Sequence, residues 1–73
     1  MNEIYLEFGI GEIVYYKLDP EQNQMFISSI RLMPGNVALY ECSSFNGVRD
    51  FYGFELTREA DLLKRLEIQK RDN

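Results

Sequence analysis

The chain contains no histidine, and cysteine occurs once, as Cys42. Without imidazole the sequence lacks the commonest general base and the usual ligand of zinc and haem sites, so neither a metal nor a cofactor is expected. A lone cysteine cannot close an internal disulfide, and an inward-facing one behaves as a small hydrophobe. Catalysis is not expected, because the remaining carboxylates, Glu41 and Asp50 among them, read as surface charge. No apolar run approaches the ~20 residues of a membrane span, and the opening Met-Asn-Glu-Ile lacks the basic start of a signal peptide. The cytoplasm is the expected compartment.

Positive charge is scarce where the chain is most apolar. Residues 1–57 carry eight acidic and three basic side chains, residues 58–73 four and five, for a net charge of −4. An acidic body repels phosphate, which counts against nucleic acid as a partner. Gly9 and Gly11 flank Ile10 with no third glycine and no helix after them, so they mark a bend and not a nucleotide fingerprint. The run 19–24, Asp-Pro-Glu-Gln-Asn-Gln, lacks the ligand spacing of a calcium loop and reads as a solvated connection.

What is present is apolar and rich in β-formers. At 45% hydrophobic and 14% aromatic the chain is not a disordered one, and 73 residues make one domain, 1–73. The stretch Met25 to Thr57 reads as three strands joined by two turns. Side chains alternate faces along a strand, and the charge on Glu41 puts Ala38, Tyr40 and Cys42 on the inner face. A three-residue loop at Pro34-Gly35-Asn36 pairs Leu32 with Ala38 and Ile30 with Tyr40. A three-residue loop at Phe45-Asn46-Gly47 pairs Tyr40 with Tyr52 and Ala38 with Phe54. The expected inner face is therefore Phe26, Ile30, Leu32, Ala38, Tyr40, Cys42, Tyr52, Phe54 and Leu56, with Tyr52, Phe54, Tyr40, Ile30 and Val14 among the most buried.

Strands are expected near 4–8, 11–18, 25–33, 37–44 and 48–56, closing into a small mainly β barrel. Thr57 is a plausible N-cap for a helix near 58–69 whose apolar stripe is Leu62, Leu63 and Leu66. The outer face then holds Ile13, Tyr15, Ile27, Val37, Leu39 and Phe51, with the three leucines to cover them.

Several short stretches resemble small bacterial and bacteriophage SH3-like barrel modules: Phe8-Gly9-Ile10-Gly11-Glu12-Ile13-Val14-Tyr15, Asp19-Pro20-Glu21-Gln22, Pro34-Gly35, Tyr40-Glu41-Cys42 and Tyr52-Gly53-Phe54-Glu55-Leu56. The resemblance spans about residues 8–60. It implies an SH3-like antiparallel barrel similar in architecture to Tudor and KOW modules, in the manner of short phage and prophage proteins, and it carries over no active site. The expected function is a non-catalytic binding or adaptor module with a protein partner or self-association. Tyr15, Leu39, Arg49 and Phe51 are its expected contact residues. The alternative is a nucleic-acid-binding module, with Tyr15 and Phe51 as stacking platforms and Arg31 and Arg49 on phosphates.

Overall fold

The computed structural model describes residues 5–63. Its five strands are β1 (Ile13–Tyr16), β2 (Met25–Met33), β3 (Val37–Ser44), β4 (Gly47–Tyr52) and β5 (Leu56–Thr57), with a 3-10 turn at Gly53–Glu55 before the last. They form one antiparallel sheet in the order β4-β3-β2-β1-β5. The mainly β expectation holds, but the sheet is open: β4 and β5 are its edges and do not pair with each other.

The β2–β3 hairpin has the register that its turn chemistry dictates. Gly35 and Asn36 both take positive φ, 85° and 61°, and Met33 pairs with Val37, Leu32 with Ala38 and Ile30 with Tyr40. Further along, the ladder slips by one residue between Ile27 and Ser29, so a bulge at Ser28 swings Ile27 to the inner face opposite Cys42 and Phe26 to the outer face. The Ser28 hydroxyl lies within hydrogen-bond distance of Glu41 Oε1 (3.0 Å) and of its backbone oxygen (3.1 Å), and the Ser43 hydroxyl bonds to it at 2.9 Å. These polar partners hold the extra residue in place.

The β3–β4 hairpin departs from the expected register. Ser44 pairs with Gly47, so the connection is the two residues Phe45 and Asn46, and Gly47 spends its positive φ of 120° inside the strand. Tyr40 therefore faces Phe51, and Leu39 faces Tyr52. Phe51 is core, 2% exposed, while Tyr52 is 42% exposed. Strand β4 stops at Tyr52 because Gly53–Glu55 turns the chain: the Glu55 carboxylate accepts the Tyr52 N–H at 2.9 Å. That turn breaks the two-residue period and throws Phe54 out to 73% exposure, stacked on Tyr52, before Leu56 returns to the core.

The core is Phe8, Val14, Ile27, Tyr40, Cys42, Phe51 and Leu56, with Tyr16, Met25, Ile30 and Ala38 packed against it. Of the five side chains expected to be most buried, Tyr40 and Val14 are, Ile30 is half-buried, and Tyr52 and Phe54 are surface residues. Tyr40 sits at the middle. Its ring meets Phe8 edge-on, with centroids 5.5 Å apart, and its hydroxyl accepts the N–H groups of Glu7 (2.9 Å) and Phe8 (3.4 Å). Drawn to that hydroxyl, Tyr5–Phe8 forms no strand, contrary to the strand expected near 4–8.

The helix expected near 58–69 is not seen over 58–61, where the chain is tied by other bonds. Arg58 reaches Glu12 and the Glu7 carbonyl, and the Asp61 N–H is donated to the Gln22 side chain. Leu62 and Leu63 are helical and exposed; the remainder of that span, including Leu66, lies outside the described residues.

Candidate functional site

The connection between β1 and β2 is built, not merely solvated. The Asp19 carboxylate accepts the N–H of Glu21 on one oxygen (2.9 Å) and of Asn23 on the other (2.8 Å). This closes an Asx-type turn in which Gln22 adopts φ 52° and becomes fully buried. From there its amide nitrogen donates to the carbonyls of Tyr16 (3.0 Å) and Asp19 (2.7 Å), and its oxygen accepts the Asp61 N–H at 2.8 Å. One side chain thus fastens the end of β1, its own loop and the segment after β5.

Next to this loop the β3–β4 turn completes a groove of about 150 Å³ on the inner face. Tyr16, Met25 and Phe51 supply its apolar side, Asp19 and Asn23 one polar wall, and Ser44, Asn46 and Arg49 the other. The Tyr16 and Phe51 rings contact each other at 4.9 Å with planes inclined by 37°. Over them lies Arg49, its guanidinium carbon 5.0 Å from the Phe51 centroid and 5.6 Å from that of Tyr16. Arg49 is on the inner face because Cys42 is its ladder partner. A second depression of about 240 Å³ lies on the other side of Tyr16, lined by Lys17, Leu18, Phe54 and Glu55.

The four expected contact residues do not converge. Phe51 is in the core, under Arg49 and beside Tyr16, and not on an outer surface awaiting the leucine stripe. Arg49 is exposed on the groove. Leu39 and Tyr15 are half-buried on the outer face. Ile13, Phe26 and Ser43 are level in the sheet, which puts Tyr15 two residues beyond that row and Leu39 four before it, roughly 20 Å apart at ~3.3 Å per residue. Only Arg49 and Phe51 belong to one site.

Sequence reasoning missed Tyr16, Gln22 and Asn46 as parts of this region. A signal existed for Gln22: Asp19-Pro20 begins a turn in which a residue three positions on can take the left-handed conformation. On the outer face, Ile13, Phe26 and Val48 stay exposed in a row that runs through Ser43, while Arg31 and Asp50 form a 2.6 Å ion pair that reaches over β3.

Charge chemistry elsewhere is structural. At Glu12, hydrogen bonding from Arg58 first and from the Gly9 N–H second holds the carboxyl below its ordinary value. Arg58 also lies 4.6 Å from the Phe8 centroid. Burial, followed by the nearby charges of Asp50 and Glu41, pushes the Cys42 thiol up to about 11, so it is protonated at neutral pH and a poor nucleophile. Among the described residues no cluster of His, Cys, Asp and Glu could hold a metal ion, and no helix is long and apolar enough to cross a membrane.

No protein-family model matches this chain, and neither a curated protein nor a solved structure matches it.

Proposed function

We propose that this chain is a non-catalytic protein-binding module, an adaptor of the small SH3-like kind that its sequence resembles, and that the groove between the β1–β2 loop and the β3–β4 turn is where it binds. The observation that carries this reading is the groove's composition: an apolar side of two rings and a methionine between two walls that hold two amides, a hydroxyl, the Asp19 carboxylate and one exposed arginine. Apolar pockets with a few placed polar groups are where proteins take ligands. An extended peptide offers what these walls satisfy, main-chain groups for Asn23, Ser44 and Asn46 and a side chain for the rings. The order of strands, with a 3-10 turn between β4 and β5, supports an SH3-like ancestry, as does the sequence resemblance. A cytoplasmic role in a phage or bacterial assembly accords with that resemblance.

Nucleic-acid binding is the weaker reading. It needs Phe51 as a stacking platform, and that ring is covered by Tyr16 and Arg49. The experiment that tests the proposal is selection of random twelve-residue peptides against the full chain, followed by mapping of amide shifts. Peptides should be recovered, and shifts should centre on Asn23, Ser44, Asn46 and Phe51. No recovered peptide, or shifts confined to the Ile13–Phe26–Val48 row, would sink the groove as the site. A mobility shift with single-stranded DNA or RNA at low salt would favour the alternative.

A further inference from the structure

Resting on the groove reading above, we infer that the partner segment carries an aspartate or glutamate whose carboxylate is taken by Arg49. Three arginines lie among the described residues, and two are matched. Arg31 is paired with Asp50 at 2.6 Å, and Arg58 with Glu12 at 2.8 Å and the Glu7 carbonyl at 2.6 Å. Arg49 has no ion pair and donates no hydrogen bond within the described residues; it lies against the two ring faces beneath it. The one acid in the groove, Asp19, accepts backbone N–H groups on both oxygens and makes no bond to Arg49.

That arrangement selects against two ligand types. A lysine or arginine from a partner would seek the π-faces of Tyr16 and Phe51, but Arg49 already occupies them and repels a second cation. A wholly apolar side chain would strip water from the guanidinium and leave its N–H donors unpaired, a cost comparable to several lost hydrogen bonds. A carboxylate replaces that water with two parallel charge-assisted bonds. With the Asn46 side chain on the groove to meet the peptide main chain, the fitting segment is an acidic residue beside an apolar one. The net charge of −4 does not prevent this, because charges farther off than about 8 Å are largely screened at physiological salt.

The test uses the full chain and the peptides recovered from the random library, resynthesised with blocked ends. Recovered sequences should be enriched in Asp or Glu, and replacing that acid by its amide should weaken binding tenfold or more. Against Arg49→Met, which keeps the stem over the rings without the charge, the same replacement should change affinity less than twofold; Arg49→Lys should retain part of the preference. Thermal melts of both variants check that they are folded, and if Arg49→Met does not fold, Arg49→Lys and Arg49→Gln carry the comparison. Peptides that bind in the groove with no acid preference, or with a lysine or arginine preference, overturn this inference and leave the groove reading standing. Binding that requires a free C-terminal carboxylate, or that is equal in parent and Arg49→Met, also overturns it. Failure to recover any peptide removes both.

Discussion

The two hairpins on either side of β3 differ by one residue of register, and everything on β4 changes with it. In the β2–β3 hairpin the positive φ angles fall on Gly35 and Asn36 inside the loop, so counting turn residues gives the pairing. In the β3–β4 hairpin the positive φ falls on Gly47 after the loop, in a residue already paired with Ser44. A glycine announces that the chain turns nearby; it does not say on which side of the loop it will stand. What decides is burial: this register sets Phe51 against Tyr16 and Tyr40, and sends Tyr52 and Phe54 outward to stack on each other.

The largest effect should come from reversing that decision. Phe51→Ala should cost about 3–5 kcal/mol, enough to leave so small a domain largely unfolded, whereas Phe54→Ala should stay within about 1 kcal/mol. Urea unfolding of the pair checks this, and equal losses would mean that the hairpin has the other register. The third connection, β1–β2, sharpens the contrast, because there a side chain and not a glycine fixes the loop. Gln22→Ala removes the acceptor of the Asp61 N–H and the side-chain donor at the Tyr16 and Asp19 carbonyls, each of which keeps one backbone N–H, and should cost about 1–3 kcal/mol, with faster amide exchange at Asp61. An unchanged melting temperature would show the Gln22 bonds to be dispensable.

Within the turns themselves, alanine at Gly35 or Gly47 meets no neighbouring atom, so each cost is conformational. Gly47→Ala, at φ 120°, should cost about 1–3 kcal/mol and Gly35→Ala, at 85°, about 1 kcal/mol. A reversed ranking in thermal melts would argue that Gly47 relaxes into the loop. The smallest effect concerns the Glu12–Arg58 pair. The Glu12 carboxyl lies below its ordinary 4.5 when folded, so its contribution is complete above about pH 4.5 and is lost as pH falls through the depressed value. The gap in melting temperature between parent and Glu12→Gln should close on acidification; a gap that persists at pH 2 would exclude this linkage.

How much was legible follows from where the period of two survives. It survives through Val14 to Tyr16 and Val37 to Ser44, and the inner face there was read correctly. It fails at Ser28, where one extra residue flips Ile27 and Phe26, and at Gly53, where a strand that looked continuous to Leu56 is interrupted by a 3-10 turn. The serine pair 28–29 and a glycine inside a strand pattern are the local hints of such breaks, but neither says which way the flanking residues will rotate. Arg49 was expected on the outer face or on phosphates, and the register puts it on the inner face instead. Its place over Tyr16 depends on pairing across four strands, which no local pattern encodes.

An open sheet offers its edge to any extended chain, including another copy of itself. Along β4 the adjacent Arg49 and Asp50 stand at the centre of that edge on opposite faces. If two copies joined antiparallel along β4 with like faces continuous, the two registers that pair most residues would set Arg49 against Arg49 or Asp50 against Asp50. Like charges directly opposite one another destabilise a ladder, and the Arg31 bridge softens only the second case. The same arginine that faces the groove therefore also discourages two copies from joining edge to edge along β4.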